Sequence, residues 1–402
     1  MVTTEAPDVV VVGGGVIGLA IAWRAATAGL VVTVADESPA GGASHAAAGL
    51  LCPVTEAHYG EEALLALNLA SARRWPSFAA ELEEAAGTTV GYRPDGTLAV
   101  AFDDDDLRVL EELHRYHLEL GLGGERLRSR ECRAVEPFLS PRLRGGILIA
   151  ADHQVDTRAT TGALLIAAPR AGVRLIRERV TQLLTGADGS RAVGVRLAGG
   201  STVNASVTVL AAGCWSAQLP GLPPEAAPPV RPVKGQILRL AGPAHPPVIT
   251  HNVRGMRHGR AIYLAPRGDG RIVVGATVEE KGFDTTVTAG AVRGLLEDAV
   301  ELVPATGELE LLEAIARLRP GTPDNAPLIG FGALEGLVVA TGHYRNGILL
   351  TPVTADATTE LLTTGRLPGV VSPFSPLRFA KVPASAEATP GGRVPLTRTG
   401  CG

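Results

Sequence analysis

The chain has 402 residues, of which 19% are charged and 46% hydrophobic, and its formal net charge is −4. This composition excludes a disordered protein and allows one large or two ordinary domains. The net charge argues against general nucleic-acid binding, which needs a basic surface. The opening stretch MVTTEAPD lacks the basic region of a signal peptide, and the apolar run after it is broken by three glycines, so we expect no membrane association.

The first predicted elements form a strand–helix–strand unit. Val9 to Val12 is a predicted buried strand, Val16 to Ala28 a helix that ends at Gly29, and Val31 to Ala35 the next strand. Such a unit begins a parallel sheet. Further helices are predicted at 61–86, 103–120, 160–171 and 288–302. Further strands are predicted at 173–184, 191–198 and 202–210, with a hairpin over 91–102 and an antiparallel pair at 262–266 and 271–275.

The pattern predicts two domains. A Pro-rich stretch at 219–232 marks the point where the chain passes from one domain to the other, and the apolar run LVVATG from 337 is similar to the first strands, which indicates a return to the first domain. We assign 1–87, 144–219 and 321–366 to a discontinuous α/β, Rossmann-like dinucleotide-binding domain. The ranges 88–143 and 220–320 are assigned to an α+β substrate domain with a mostly antiparallel sheet. The segment 367–402 is C-terminal, and we expect disorder after about 382.

Three glycines, Gly13, Gly15 and Gly18, follow the first strand in the spacing G-x-G-x-x-G. They allow a tight turn, close approach of a pyrophosphate to the backbone, and close helix–strand packing. Asp36, at the end of the second strand, is placed to bind an adenosine ribose, and Glu37 is the neighbouring candidate. The motif alone does not distinguish NAD from FAD, and a tight turn without a ligand is the alternative.

Four later segments extend the pattern: GGASHAAAGLL (41–51), VLAAGCWS (209–216), RLRPGTPDNAPLIG (317–330) and GHYRNGILLTP (342–352). Together with the glycine motif they resemble the FAD-dependent amine oxidases of the D-amino-acid oxidase and sarcosine oxidase superfamily, above all the glycine oxidases of thiamine biosynthesis. The resemblance covers roughly residues 8 to 380. It implies an FAD-binding domain of the glutathione-reductase type and suggests a homotetramer. The small residues of 46–49 and 211–213 suit a backbone that lies against a ring system.

The resemblance also implies which residues hold FAD. The expected contacts are Gly13, Gly15, Val16, Ile17, Gly18, Asp36, Glu37, Ser44, His45, Ala48, Gly49, Leu50, Val180, Gly213, His343, Tyr344, Arg345, Asn346, Gly347, Ile348 and Leu349. Monomeric sarcosine oxidases attach their flavin through a cysteine near the late loop. Because no cysteine lies between Cys214 and Cys401, we expect non-covalent FAD. The four cysteines also lack metal-ligand spacing, so we expect reduced thiols in a cytoplasmic protein that binds no metal.

Arg319 and Arg345 match the positions where glycine oxidases place carboxylate-binding arginines, and Tyr263 matches their active-site tyrosine. An amino-acid carboxylate in a site sealed from water needs a planar, permanently charged donor. Alternatives stay open: Arg345 pairs with a protein carboxylate such as Asp356 or with flavin phosphates, Arg317 replaces Arg319, or Tyr263 is an ordinary sheet aromatic. Where glycine oxidases carry a histidine and a methionine, this chain has the smaller Ala261 and Val278, so the substrate pocket is expected to differ in shape.

The residues proposed to line the substrate pocket include no obvious general base. The absence of such a base favours direct hydride transfer from the substrate α-carbon to flavin N5. The resemblance therefore implies oxidation of glycine, sarcosine or D-alanine to a 2-oxo acid, ammonia and, with dioxygen, hydrogen peroxide, in support of thiazole synthesis. One alternative is a D-amino acid dehydrogenase that passes electrons to a quinone. Another is an inactive dinucleotide-binding partner protein.

Overall fold

The computed structural model describes residues 6–257 and 260–379, so the predicted tail disorder after about 382 and Cys401 lie outside the described residues. The strands are β1 Val9–Val12, β2 Val32–Ala35, β3 Leu50–Leu51, β4 Thr97–Ala101, β5 Glu125–Arg128, β6 Gly145–Ile149, β7 His153–Gln154, β8 Arg174–Ile176, β9 Val180–Thr185, β10 Ala192–Leu197, β11 Thr202–Asn204, β12 Val207–Leu210, β13 Arg231–Ala241, β14 Asn252–Arg257, β15 Arg260–Pro266, β16 Arg271–Gly275, β17 Glu310–Gly321, β18 Leu328–Phe331 and β19 Leu337–Thr341. The α-helices are α1 Val16–Thr27, α2 Ala43–Ala46, α3 Glu62–Ala86, α4 Asp104–Glu119, α5 Ser129–Val135, α6 Thr157–Arg170, α7 Ala289–Leu302 and α8 Thr351–Thr364.

A six-stranded sheet forms the first half of the fold, in the order β18-β19-β12-β1-β2-β8, with β18 as its antiparallel edge and the other pairs parallel. All four valines of β1 are buried, because both faces of the sheet are covered. Val9 and Val11 pack with residues of the helices, and Val10 and Val12 pack toward the antiparallel sheet β11-β10-β9. This is the architecture of a Rossmann-type dinucleotide-binding domain, as predicted.

An eight-stranded sheet forms the second half, in the order β17-β13-β16-β15-β14-β4-β6-β5. Its pairs are antiparallel except β14 with β4. Strand alternation gives this sheet two different faces. Leu238, Ile262 and Leu264 pack in one cluster with α7, whereas Ile237 and Ala265 lie in a cluster on the opposite face with alanines of the 46–48 segment. The mostly antiparallel sheet of the second half is therefore confirmed, and its inner face meets the first half.

Several local predictions agree with the structure: α1 and α3 lie where expected, and β15 pairs antiparallel with β16. The hairpin predicted at 91–102 is wrong, because β4 pairs with β6 and β14 instead of folding back on residues 91–96. The predicted strands 173–184 and 202–210 each divide into two strands that belong to different sheets.

The predicted domain bounds remain a prediction, with one correction. β6 lies within the range 144–219 that was assigned to the dinucleotide domain, yet it pairs with β4 and β5 in the eight-stranded sheet. Its short apolar sequence GGILI could have joined either sheet, and only long-range pairing decides between them.

Candidate active site

A cavity of ≈790 Å³ lies between the two sheets, which is within the range of about 300–1,000 Å³ typical of ligand sites. Residues at the carboxyl ends of β1, β2, β12 and β19 line one side of it. Residues of β13, β15 and β17 line the other side. Ligands of doubly wound folds bind at this edge of a parallel sheet, so the cavity is the candidate site.

The glycine motif shapes the cavity where α1 begins. Gly13 has φ +106°, and a Cβ there would lie 2.5 Å from the carbonyl oxygen of Ala211. A Cβ on Gly15 would meet only Ser44 Oγ at 3.6 Å, so the backbone stays open to a ligand. Gly18 does not line the cavity, since its α-carbon packs against the Gly13 carbonyl. The turn therefore leaves a backbone surface that a pyrophosphate can approach, as predicted from the spacing.

The N-terminus of α1 faces the same cavity through Val16 and Ile17. Its first turn contains no acidic residue, and the Val16 amide donates to Ser44 Oγ at 3.1 Å. The partial positive charge at this end of the helix is thus available to an anionic group.

Asp36 and Glu37 line the cavity where β2 ends. The Gly14 amide donates to Asp36 Oδ2 at 2.7 Å, and the Ser38 amide donates to Oδ1 at 2.7 Å. These two bonds fix the carboxylate and leave further acceptor capacity on both oxygens. The geometry suits hydrogen bonds from the hydroxyls of a ribose.

The segment from Ala46 to Leu50 lines the cavity, but His45 does not. The His45 carbonyl instead accepts hydrogen bonds from Arg158 Nε at 3.2 Å and Arg239 Nη2 at 3.2 Å. Buried Arg267 donates to the Ala48 carbonyl. Arginines behind the segment therefore hold its backbone against the cavity.

The late loop lines the cavity from His343 to Ile348. The Leu349 carbonyl points away and accepts hydrogen bonds from Ser71 Oγ at 2.6 Å and Trp75 Nε1 at 2.9 Å, which tie the loop to α3. His343 Nε2 lies 3.0 Å from Thr354 Oγ1. Burial lowers the pKa of His343 to about 3, so its ring stays neutral.

Arg319 and Tyr263 lie on the inner face of the eight-stranded sheet, each over a glycine of a neighbouring strand. A Cβ on Gly235 would lie 2.3 Å from Arg319 Nη1, and a Cβ on Gly275 would lie 2.3 Å from the Tyr263 hydroxyl oxygen. Arg319 Nη1 donates to the Thr277 carbonyl at 3.1 Å. Burial raises the pKa of Tyr263, which keeps its hydroxyl protonated. The two glycines are a sequence signal of close approach that our sequence analysis did not use.

Arg317 was the alternative to Arg319, and the structure places both arginines at the cavity. Arg317 Nε donates to the Gly41 carbonyl at 3.1 Å, at the segment that precedes α2. The charge of Arg319 acts on Tyr263. Arg319 is therefore the arginine on the tyrosine side of the cavity, and Arg317 belongs to the side of the predicted cofactor contacts.

Arg345 lines the cavity but is not sealed from water, because 39% of its side chain is exposed. The protein carboxylate beside it is not Asp356, the residue named in the alternative, because Asp356 pairs with Arg24 and Arg74. Arg345 Nε lies 3.7 Å from Glu56 Oε2. Glu56 also lines the cavity, and no local motif in the sequence pointed to it.

Val180 and Gly213 line the cavity as expected, whereas Ala261 and Val278 do not. Ala261 is exposed, and Val278 has 60% of its surface exposed. The structure therefore gives these two residues no contact with the cavity.

Cys52 and Cys214 are free, buried cysteines that line the cavity. Burial raises the pKa of both thiols, that of Cys214 to about 12. A protonated thiol is a poor nucleophile, and the non-covalent attachment of the flavin stays a prediction. Across residues 6–257 and 260–379 there is no group of three or more His, Cys, Asp or Glu side chains that could hold a metal ion. The same residues include no helix that is long and apolar enough to cross a membrane.

The Rossmann-type sheet and the cavity at its carboxyl edge define a dinucleotide-binding protein. Residues 8–361 match the DAO family of FAD dependent oxidoreductases, and the chain belongs to this family. The open backbone at Gly15, the α1 N-terminus and the fixed Asp36 carboxylate fit the diphosphate and ribose of FAD. The small residues of 46–49 fit a ring system.

Three relatives illustrate the family. The chain is 36% identical over 376 residues to the bifunctional protein ThiO/ThiG of a Synechocystis strain, covering 92% of this chain but 54% of that protein. The chain thus spans about half the length of that bifunctional protein. It is 32% identical to the glycine oxidase of Geobacillus kaustophilus, over 92% of this chain and 97% of the relative. It is 30% identical to the hydrogen cyanide synthase subunit HcnC of Pseudomonas aeruginosa, over 94% and 97% of the two chains.

The crystal structure of glycine oxidase from Geobacillus kaustophilus superposes with a TM-score of 0.86 and 32% identity. The similarity covers 93% of this chain and 99% of that chain. Both halves of the fold are therefore shared with that enzyme.

Proposed function

We propose that the protein oxidises glycine and other small amines, such as sarcosine and D-alanine, with dioxygen and water to a 2-oxo acid, hydrogen peroxide and ammonia, or methylamine in the case of sarcosine. The observation that carries the proposal is the pair Arg319 and Tyr263, which faces the cavity across from the α1 N-terminus. The glycine oxidase name of the relative from Geobacillus kaustophilus supports the same activity. The ThiO/ThiG relative supports a role of the product in thiazole synthesis for thiamine.

Arg319 binds the substrate carboxylate in this proposal, with Arg345 as a second cation. Guanidinium groups bind carboxylates through charge-assisted, paired hydrogen bonds, which orient the substrate as well as hold it. The Tyr263 hydroxyl, kept protonated by burial, donates a further hydrogen bond. When bound, FAD would supply the chemistry by accepting a hydride at N5 and passing electrons to dioxygen.

A direct test is to incubate the FAD-loaded protein with glycine in air and to follow peroxide and glyoxylate. Both products should form, and Arg345→Ala should lose activity while FAD stays bound. If no peroxide forms but a D-amino acid bleaches the flavin anaerobically, the quinone-dependent dehydrogenase replaces this proposal. If no amine reduces the bound flavin, the protein is a binding partner and not an oxidase.

The pH profile is expected to report the substrate's amine and not a protein base. The pKa of His343 is lowered by burial to about 3, and burial raises the pKa of Tyr263 above its ordinary range, so neither group titrates between pH 5 and 9. Only the neutral amine has the lone pair that expels the hydride. We therefore expect kcat/KM to rise tenfold per pH unit below the pKa of the amine and then to level off.

Comparing two substrates whose amines differ in pKa makes this prediction decisive. The break in each profile should move with the amine, because the protein is common to both measurements. A break that stays at one pH for both substrates would assign the ionisation to the protein and contradict the scheme.

A further inference from the structure

Glu56 is an acidic residue of the cavity that the proposed reaction has not yet used. Three acidic side chains line the cavity among the described residues: Asp36, Glu37 and Glu56. The first two follow β2, at the end where α1 begins. Glu56 lies instead beside Arg345, and its charge acts on Tyr263. It is the carboxylate on the substrate side of the cavity.

The Glu56 side chain is anchored from behind by Arg254. Arg254 Nη1 donates to Glu56 Oε1 at 2.6 Å and to Thr55 Oγ1 at 3.2 Å. Arg254 is on β14, directly opposite Tyr263 on β15. The carboxylate is therefore bound to the same patch of sheet that carries the tyrosine, and its position does not depend on the 52–57 loop alone.

Glu56 is ionised. Its side chain is only 14% exposed, and burial alone would raise its pKa. The charges of Arg254 and Arg345 outweigh burial, and the pKa of Glu56 falls below its ordinary value. A buried carboxylate stays ionised when cations surround it, so Glu56 is negatively charged throughout the neutral pH range.

The second oxygen of Glu56, a residue that lines the cavity, retains acceptor capacity. Oε1 is engaged by Arg254 at 2.6 Å, whereas Oε2 is 3.7 Å from Arg345 Nε, which is beyond hydrogen-bond distance. An amino acid presents a carboxylate and an amino group on one carbon. Arg319 and Arg345 can receive the substrate carboxylate, and the available Glu56 oxygen can accept a hydrogen bond from the amino group.

We infer that Glu56 Oε2 accepts a hydrogen bond from the substrate's amino group and thereby selects amino acids over acids that lack an amine. The inference rests on the proposed amine oxidation. No proton needs to move to Glu56, because the reactive neutral amine still has N–H donors. Since Arg254 and Arg345 outweigh the single carboxylate, the surroundings of Glu56 do not favour an ammonium ion over that neutral amine.

The test compares glycine with acetate, which carries the carboxylate but no amine. In Glu56→Gln, kcat/KM for glycine should fall at least tenfold, because a hydrogen bond to a charged acceptor is lost. The Kd of acetate, measured from its perturbation of the flavin spectrum, should be unchanged or lower, because Arg345 loses a competing partner. Glu61→Gln, five residues away and outside the cavity lining, is the matched control and should change neither value.

Two outcomes would overturn the inference. Equal weakening of glycine and acetate would show that Glu56 only positions the arginines, and an unchanged response to both would show that it contacts neither. If Glu56→Gln fails to bind FAD, Glu56→Asp keeps the charge with a shorter reach, and the glycine-specific loss must appear there. A wild-type protein that oxidises no amine would refute the proposed function itself, whereas failure of this inference requires an active wild type.

Discussion

Replacing Arg319 with methionine is expected to lower kcat/KM for glycine by about two to three orders of magnitude, because truncating one partner of a buried charge pair costs roughly 2–5 kcal/mol. Methionine keeps the apolar length of the side chain and removes the charge that the substrate carboxylate needs. The flavin spectrum and the Kd of FAD should stay close to those of the wild type. Steady-state peroxide formation together with FAD titration measures both quantities.

Arg317→Met is the matched control, because Arg317 is two residues away on the same strand and on the same face. It donates to the Gly41 carbonyl beside the predicted cofactor contacts, so its loss should weaken FAD binding more than glycine binding. If Arg317→Met instead loses glycine oxidation with FAD retained, and Arg319→Met does not, the two assignments must be exchanged.

Gly235→Ala tests the same role without removing a charge. Its Cβ would lie 2.3 Å from Arg319 Nη1, so the guanidinium must shift while the strand remains intact. We expect a smaller loss of kcat/KM than in Arg319→Met, about tenfold or more, since misplacing a binding group by 1 Å is costly. Unchanged glycine turnover would mean that the observed position of Arg319 is not the one used by the substrate.

Gly13→Ala is expected to abolish FAD binding at micromolar cofactor and to destabilise the protein by about 2–6 kcal/mol, from backbone strain and overpacking together. The residue has φ +106°, and the new methyl group would lie 2.5 Å from the Ala211 carbonyl oxygen at the end of β12. The ends of β1 and β12 would have to separate where the pyrophosphate is predicted to bind. Flavin content after purification and the melting temperature measure the effect.

Gly29→Ala is the control that separates backbone strain at positive φ from steric contact of the new methyl group. Gly29 has φ +93° and follows α1, but a Cβ there would meet nothing within 4 Å. It should therefore cost only the conformational strain of about 1–2 kcal/mol and leave FAD binding unchanged. A loss of flavin in Gly29→Ala as large as in Gly13→Ala would show that general instability, and not the β1–β12 contact, explains the result.

The first strand–helix–strand unit and the place of its ligand could be predicted from the sequence because the signals are local. Four consecutive valines predict a strand buried on both faces, and the glycine spacing predicts a turn that only glycine backbone can make. Glycine is preferred after the last turn of a helix because it adopts positive φ without strain. Gly29 and Gly87, which follow α1 and α3, both have positive φ. Arg319 and Tyr263 were found through the resemblance of whole segments, not through any local rule.

The sequence by itself thus determined the FAD-binding sheet, the two kinds of sheet and the residues that follow from motif spacing. Only the tertiary structure decided that β4 joins β6 and β14, that Arg345 pairs with Glu56 and not with Asp356, and that Arg317 donates to the Gly41 carbonyl whereas Arg319 donates to the Thr277 carbonyl. These facts depend on contacts between residues far apart in the chain. The free energy of such contacts depends on which partners the fold brings together, and that choice leaves no periodic or local signal in the sequence.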